Sequence, residues 1–174
     1  MNIYLLGYMG SGKSTVGRQL AANIGYDFID LDAYICKEEK ATIPKIFETK
    51  GEIYFRKTEA RYLKTLVSEA QGKLVVALGG GTPCYGNAME LLKNSGHQTI
   101  YLNLPFQALA ERLWTERASR PLIASIDTYD DLEDYVRKHL FERGYYYNQA
   151  QIVLKINPTA TAAQVVEEIV ARLF

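Results

Sequence analysis

Gly7-Tyr8-Met9-Gly10-Ser11-Gly12-Lys13-Ser14 is the stretch that decides the fold of this chain. It follows the apolar, strand-length run Asn2–Leu6 and precedes Thr15–Ile24, in which apolar residues recur at helical spacing. A G-x-x-x-x-G-K-S pattern between a strand and a helix is typical of a phosphate-binding loop. The alternative, a glycine-rich turn with an incidental lysine, does not account for both flanking elements. The sequence therefore predicts that the chain binds nucleotide phosphates.

The loop also predicts which atoms contact the ligand. Its glycines let consecutive backbone N–H groups converge on a polyphosphate, and the helix N-terminus adds positive partial charge. Lys13 is expected to reach the β- and γ-phosphates, and the Ser14 hydroxyl is expected to ligate Mg²⁺. The predicted cofactors are therefore ATP and Mg²⁺, with the nucleotide held by Gly10, Ser11, Gly12, Lys13, Ser14 and Thr15.

The composition limits the other classes of function. The chain has 174 residues, of which 48% are apolar, and its 20 basic residues balance its 20 acidic residues. This length and apolar content predict a single domain over residues 1–174. The balanced charge argues against nucleic acid as a partner, and apolar runs such as Leu74–Leu78 are far too short to span a bilayer. We expect a cytoplasmic monomer without a membrane or nucleic-acid partner.

Four further runs have the pattern of buried parallel strands: Asp27–Asp30, Leu74–Leu78, Gln98–Leu102 and Gln151–Lys155. Helix-patterned sequence separates these runs. Helices are predicted over 52–71 and 88–95, and each of these ranges is followed by a glycine. A last helix is predicted to follow the capping-box pattern of Thr161 and Gln164. This alternation predicts a three-layer α/β/α fold of the P-loop NTPase type, with a five-stranded parallel sheet.

Two insertions interrupt the simple alternation of strands and helices. Residues 33–61 form a charged, helical block after the second strand, and we expect them to bind the substrate. Residues at about 112–128 contain Arg117, Arg120 and a polar run. A loop of that length with arginines suggests a mobile lid that closes over phosphates.

Two carboxylates and three glycines follow strands at the edge where an open α/β sheet binds its ligands. Asp30 and Asp32 end the second strand, and Gly79-Gly80-Gly81 ends the third. We assign Asp30 to the metal and Asp32 to a substrate hydroxyl whose proton it accepts. The alternative role for Asp32 is that of N-cap for a helix over 33–40. The glycines either form a plain tight turn or let backbone amides approach a ligand closely.

These motifs together resemble those of the shikimate kinases, small members of the nucleoside-monophosphate-kinase-like group of phosphate-loop enzymes. The likeness spans nearly the whole chain and depends on the order and spacing of its parts. They are the phosphate loop with Thr15-Val16-Gly17, Phe28-Ile29-Asp30-Leu31-Asp32, Ile46-Phe47-Glu48 with Gly51-Glu52, Phe55-Arg56 with Glu59, Gly79-Gly80-Gly81, Arg120-Pro121-Leu122 and Glu142-Arg143.

The resemblance implies ATP-dependent phosphorylation of the 3-hydroxyl of shikimate, a step of aromatic amino-acid biosynthesis. It implies that Asp32 holds the shikimate hydroxyls and acts as the base, and that Arg56 and Arg143 hold the carboxylate with help from the Gly80 backbone. The planar fork of arginine suits that role, because it matches a carboxylate with two parallel hydrogen bonds.

The lid and the adenine site complete the expected arrangement. Arg120 is expected to bind the nucleotide and to steady the transferring phosphoryl group, so that the predicted catalytic residues are Asp32, Lys13 and Arg120. Arg120 is preferred to Arg117 because Pro121-Leu122 follow it. Adenine is expected near Asn157 and Pro158, and the run Tyr145-Tyr146-Tyr147 is interpreted as helix packing without a role in the site.

Two rival functions fit parts of this pattern. A kinase of the same fold acting on gluconate or on a nucleoside monophosphate would use the same phosphate loop. A nucleotide-binding module that has lost catalysis would also keep the fold, but the intact set of Lys13, Ser14, Asp30, Asp32 and Arg120 argues against it.

Overall fold

A sheet of five parallel strands forms the centre of the structure, a computed structural model that describes residues 1–69 and 72–174. The strands lie in the order β2-β3-β1-β4-β5. They are β1 Ile3–Leu6, β2 Asp27–Asp30, β3 Leu74–Ala77, β4 Gln98–Asn103 and β5 Ile152–Lys155. The predicted parallel sheet is confirmed, with each strand within one residue of its predicted bounds.

Seven α-helices and two short 3₁₀ turns connect or follow the strands within the described residues. The helices are α1 Lys13–Ile24, α2 Leu31–Glu39, α3 Ile43–Ser68, α4 Ala88–Asn94, α5 Phe106–Glu116, α6 Tyr129–Tyr147 and α7 Ala162–Leu173. The predicted capping box that opens α7 is present, because the Thr161 side chain accepts from the Gln164 backbone and the Gln164 side chain accepts from the Thr161 backbone.

The helices cover both faces of the sheet. Successive side chains of a strand point to opposite faces, and in β1 Leu5 lies under Gly17 of α1 while the hydroxyl of Tyr4 donates to the carbonyl of Leu66 in α3. Helix α7 packs on α1 and helix α4 packs on α3, so each pair covers one face. The predicted three-layer α/β/α arrangement of the P-loop type is confirmed.

Helix α3 differs most from its prediction. It begins at Ile43, nine residues before the predicted start, because Thr42 caps it and Pro44 occupies the first turn. Gly51 interrupts it with φ 83 and ψ 172, so that two helical segments meet at a kink. The last described residue of the helix is Ser68, and the end of the predicted range, residues 70 and 71, lies outside the described residues.

The carboxyl ends of β1, β2 and β3 meet at one edge of the sheet, and there the phosphate loop, Asp30 and the three glycines come together. These strands are adjacent in the sheet although their order along the chain is different. The topology thus brings the phosphate loop, which begins at Gly7, close to Asp30 and to the glycines at 79–81. Within the described residues, no helix is both long and apolar enough to cross a membrane.

The packing of α1 on the sheet yields a test of the fold. A Cβ atom at Gly17 would lie 2.6 Å from Cε2 of Phe28 and 3.1 Å from Cδ1 of Leu5. Gly17→Ala should therefore lower the free energy of unfolding by about 1–3 kcal/mol through overpacking. The matched control is Gly144→Ala in α6, where the new Cβ would lie 3.6 Å from Asn148 Nδ2 in ordinary contact.

In the control, alanine should raise the free energy of unfolding by about 0.5–1 kcal/mol, because it restricts the unfolded backbone and favours a helix. Urea unfolding of both variants and the parent measures the difference. Equal changes in the two variants would show that the space between α1 and β2 is not tightly packed.

Candidate active site

The phosphate loop holds a buried ammonium group on its own backbone. Gly10 and Gly12 turn the loop with φ of 79 and 88, a region that favours glycine. The Nζ atom of Lys13 donates to the carbonyl oxygens of Gly7 at 2.7 Å and Tyr8 at 3.0 Å. Burial lowers the pKa of Lys13 to about 8, although nearby carboxylates oppose that shift. A phosphate at this position would supply the negative charge that the neutral carbonyls lack.

A cavity of about 390 Å³ opens beside the loop. Six of the seven residues predicted to bind the nucleotide line it, Arg120 among them, together with both predicted carboxylates. Ser11 is the exception, since it faces an adjoining cavity of about 200 Å³ on the other side of Gly12. The other residues predicted to bind the phosphates, the metal and a substrate hydroxyl therefore line a single cavity.

Asp30 joins the end of β2 to both the phosphate loop and α2. Its Oδ2 atom accepts the Ser14 hydroxyl at 2.5 Å, and its Oδ1 atom accepts the backbone N–H of Ala33 at 3.1 Å. Asp30 is therefore the N-cap of α2, and the alternative that Asp32 is the cap is wrong. Asp32 lies in the first turn of the helix instead, so its carboxylate is not engaged in capping.

The Asp32 carboxylate is poised to titrate close to neutral pH. Burial raises its pKa to about 6, and the negative charges of Asp30 and Glu59 add to that shift. Lys13 and Arg56 oppose it. A carboxylate in this state is ionised at neutral pH yet more basic than an exposed one, which suits a group that accepts a proton from a hydroxyl.

Each of the three glycines after β3 leaves room for a different charged side chain. A Cβ atom at Gly79 would lie 2.9 Å from Oδ1 of Asp32. The corresponding atom at Gly80 would lie 3.1 Å from Nη1 of Arg143, and at Gly81 it would lie 2.8 Å from Nη2 of Arg56. The sequence suggested a turn or a close approach to a ligand, and the structure adds that the site's own side chains occupy this space.

Arg56 is fixed by contacts on two sides. Its Nη1 atom forms a 2.9 Å salt bridge with Oε1 of Glu59, whose other oxygen accepts the Thr82 hydroxyl at 2.7 Å. The guanidinium lies 3.8 Å from the centre of the Tyr85 ring. Its Nε atom is buried and has no hydrogen-bond partner within the described residues. Arg56 therefore keeps unused donor capacity in a fixed orientation.

Arg143 is the second arginine at this edge and is free of carboxylate partners. None of the salt bridges formed by residues 1–69 and 72–174 involves it. Its guanidinium lies 5.8 Å from the ring centre of Tyr8, whose hydroxyl is 2.9 Å from Nδ1 of His139 in the same helix. A partly buried guanidinium without a carboxylate partner is suited to an anionic ligand.

The two arginines of the predicted lid have different partners. Arg120 lines the phosphate cavity and forms a 2.6 Å salt bridge with Glu116. Arg117 instead stacks on Trp114, with its guanidinium 3.7 Å from the ring centre, and donates to the Trp114 carbonyl. This geometry favours Arg120 over Arg117 as the residue that faces the phosphates.

The smaller cavity lies between the phosphate loop and the loop that precedes α7. Arg112 lines it and donates to the carbonyl of Gly10 at 3.2 Å. The residues of the second loop that line it are Ile156 and Ala160, whereas Asn157, between them in sequence, is exposed. The expected adenine position is thus in the neighbourhood of this cavity, but Asn157 and Pro158 do not form its wall.

Comparisons with known proteins agree with this arrangement. A family model described as shikimate kinase matches residues 9–174. A shikimate kinase of Flavobacterium johnsoniae is 42% identical over 149 residues, which cover 86% of each chain. This chain belongs to the shikimate kinase family. The predicted family is confirmed, and the chain is accordingly an enzyme of that family.

Solved structures of the same family have the same fold. A shikimate kinase from Bacteroides thetaiotaomicron superposes with a TM-score of 0.86 at 30% identity, covering 99% of this chain and 98% of the other. A shikimate kinase from Acinetobacter baumannii, solved in complex with shikimate, gives a TM-score of 0.85 at 36% identity, covering 99% and 92%. The structural similarity to both shikimate kinases therefore extends over 99% of this chain.

Three contacts in this shikimate kinase were not predicted from sequence. Glu59 was noted only as part of the family resemblance, although it fixes Arg56. Arg112 falls within the predicted lid but lies in α5 and binds the phosphate loop. Tyr147 is packed in the core, as interpreted, but its hydroxyl also donates to the Gly80 carbonyl at 2.5 Å, a contact that was not predicted. The aromatic run gave no signal that distinguished Tyr147 from its neighbours.

The raised pKa of Asp32 makes a prediction for stability. The folded pKa of about 6 exceeds the ordinary value of 3.8, so the ionised carboxylate destabilises the fold at pH values above both. Asp32→Asn should therefore raise the free energy of unfolding at pH 8 by on the order of 2–3 kcal/mol relative to the parent. The variant should accordingly unfold at a higher temperature. The gap should open between pH 4 and pH 6 and vanish below that window. Thermal unfolding from pH 4 to pH 8 measures it; no gap at pH 8 would contradict the burial cost assigned to Asp32.

Proposed function

We propose that this chain transfers the γ-phosphoryl group of ATP to the 3-hydroxyl of shikimate, which yields shikimate 3-phosphate and ADP. The observation that carries the proposal is a cavity lined by the phosphate loop and an ionisable aspartate, beside a glycine turn against which the guanidinium groups of Arg56 and Arg143 lie. The relative from Acinetobacter baumannii that was solved with shikimate supports the choice of acceptor. The product would serve aromatic amino-acid biosynthesis.

The acceptor would lie against the glycine turn. Asp32 would bind the reacting hydroxyl and take its proton as the oxygen attacks the γ-phosphorus. Arg56 and Arg143 would hold the carboxylate, with the Gly80 backbone as a further donor. Two guanidinium groups on different helices match a carboxylate from two directions. Gluconate carries a carboxylate too, whereas a nucleoside monophosphate would need a base pocket beside these arginines.

The nucleotide would lie along the phosphate loop, with Lys13 moving from the loop carbonyls to the β- and γ-phosphates. Ser14 and Asp30 would hold Mg²⁺, since their oxygens are already 2.5 Å apart. Mg²⁺ is usually bound by one or two protein oxygens together with substrate phosphates and water. Within the described residues, no cluster of three or more His, Cys, Asp or Glu side chains could hold a metal, which fits that mode. When bound, the ion would neutralise charge on the phosphates.

We also propose a division of labour within one domain over residues 1–174. Residues 33–61 would bind the acceptor through α2 and the first part of α3, and residues at about 112–128 would act as the lid. Arg120 would leave Glu116 and contact the transferring phosphoryl group as the lid excludes water. We propose a cytoplasmic monomer without a membrane partner, and the balanced charge of the chain argues against nucleic acid as a partner.

The acceptor can be identified by measuring ADP release from ATP and Mg²⁺ with shikimate, gluconate and a set of nucleoside monophosphates in parallel. We expect turnover with shikimate alone. Turnover with a nucleoside monophosphate only would retain the phosphate machinery and refute the carboxylate assignment, whereas turnover with gluconate only would keep that assignment and refute shikimate as the acceptor. Absence of turnover with every acceptor, despite ATP binding, would favour a nucleotide-binding module.

The control for this assay is Asp32→Asn, which keeps the size of the side chain but removes the base. Turnover should fall by about 10²-fold or more, because general base catalysis contributes that factor or more. ATP affinity measured by titration should stay within about twofold, since the phosphate loop is unchanged. Turnover at the parent rate would contradict the role given to Asp32.

The lid can be tested with a matched pair of arginine variants. Arg120→Ala should lower kcat by about 10²-fold or more, as expected for loss of a cationic group that stabilises the transferring phosphoryl. Arg117→Ala should lower it by less than about threefold, because this side chain stacks on Trp114. Steady-state rates at saturating ATP and shikimate distinguish the two, and a larger loss for Arg117→Ala would exchange their roles.

A further inference from the structure

Tyr147 connects the end of α6 to the glycine turn. Its side chain is fully buried, and its ring lies 5.1 Å from that of Tyr101 in β4. Its hydroxyl donates to the carbonyl oxygen of Gly80 at 2.5 Å. A buried tyrosine hydroxyl needs some partner, and here the partner is the backbone of the turn that would contact the acceptor.

This hydrogen bond fixes the orientation of one peptide group. The peptide that joins Gly80 to Gly81 is trans, so its N–H, which belongs to Gly81, points away from the carbonyl that Tyr147 holds. In the part of the chain that the structure describes, neither the Gly80 N–H nor the Gly81 N–H donates to a protein acceptor. Two consecutive free N–H groups form a site for an anion.

The same helix carries the arginine on the other side of the turn. Arg143 precedes Tyr147 by four residues, which places both on one face of α6. The guanidinium of Arg143 lies against Gly80, where a Cβ atom would come within 3.1 Å of Nη1. Tyr147 and Arg143 also interact directly, and that interaction raises the pKa of Arg143 against the opposite effect of burial.

We propose that Tyr147 is a positioning residue for the acceptor: its hydroxyl holds the Gly80–Gly81 peptide so that the free N–H groups and the Arg143 guanidinium converge on the same carboxylate. The inference depends on the proposed function, because it concerns how that acceptor is held. Without the hydroxyl, the Gly80 carbonyl keeps only a long contact of 4.0 Å to the Cys84 thiol among the described side chains. A thiol is a weak donor, and glycine itself allows wide backbone freedom.

The test is Tyr147→Phe, which removes the hydroxyl and keeps the ring against Tyr101. We expect KM for shikimate to rise about tenfold, the effect of one hydrogen bond to a charged group. The kcat and the KM for ATP should change by less than about twofold, since the phosphate loop is untouched. The matched control is Tyr101→Phe, which removes another buried hydroxyl in the same cluster, bonded to Asn103 at 3.2 Å.

An analogue of shikimate with a carboxamide in place of the carboxylate separates positioning from packing. The penalty of Tyr147→Phe should shrink to less than about threefold with this analogue, because the charged acceptor of the N–H groups is gone. A general loosening of the fold would raise KM equally for both compounds and equally in Tyr101→Phe. Either of those outcomes, or an unchanged KM in Tyr147→Phe, would overturn the inference.

A readout without turnover keeps this test independent of the proposed function. In protein labelled with ¹⁵N-glycine, Tyr147→Phe should shift the amide resonances of Gly80 and Gly81 without ligand, and Tyr101→Phe should leave them in place. Unshifted resonances would overturn the role of Tyr147 whatever the acceptor is. If the parent protein does not turn over shikimate although the resonances shift, the proposed function fails and the positioning of the peptide stands.

Discussion

The absence of side chains at three consecutive positions after β3 is the constraint on which this site depends. Three charged side chains from different helices reach the space where Cβ atoms of residues 79–81 would lie. They belong to Asp32 in α2, Arg56 in α3 and Arg143 in α6. A methyl group at any of these positions would meet a charged group at about 3 Å. The side chains would then withdraw from the edge of the sheet. The glycine turn therefore sets the spacing of the proposed acceptor site as much as the charged residues themselves do.

Buried charges of both signs give the site its electrostatic character. Lys13 and Asp32 each have a pKa shifted toward the neutral form, the lysine down to about 8 and the aspartate up to about 6. Burial is the largest cause in both cases. Neither group is therefore fully compensated by the protein alone. A polyphosphate would compensate the positive charge of the lysine, and a hydroxyl donor would hydrogen-bond to the aspartate. Both ligands would therefore stabilise the charged forms of these two side chains.

The sequence was sufficient to predict several elements whose pattern lies within a short stretch of the chain. The five strands, the phosphate loop and the capping box of α7 each follow from residues within a few positions of one another, and the structure has them at or within one residue of the predicted bounds. Helical structure before residue 52 was expected only as a charged block over 33–61, and its junction with the helix predicted from residue 52 was missed. That junction is Gly51, whose left-handed φ of 83 lets the helix resume in a new direction. A glycine in a helical pattern does not reveal from sequence whether it ends or bends a helix.

The rest of the site depends on contacts between distant parts of the chain, which a single sequence does not specify. Asp30 was favoured for the metal and Asp32 for either the base or the helix cap. Only the structure shows that Asp30 accepts from both Ser14 and the backbone of Ala33. Tyr147 is similar, because three tyrosines in succession have the same local pattern and only one reaches a residue 67 positions away. Such roles follow from topology and not from periodicity.

The packing of α5 on α6 would limit where the proposed lid moves. Arg112 is bound to the phosphate loop, and Trp114 packs edge to face against Tyr129 at the start of α6, with ring centres 5.9 Å apart. Both ends of the intervening segment are thereby held, and Arg120 lies between them. Its salt bridge to Glu116 is partly exposed, and such pairs contribute at most about 1 kcal/mol. A charge-assisted bond to a phosphate in a closed site is considerably stronger, so exchanging the carboxylate for the phosphate would favour closure of the proposed lid over a bound nucleotide.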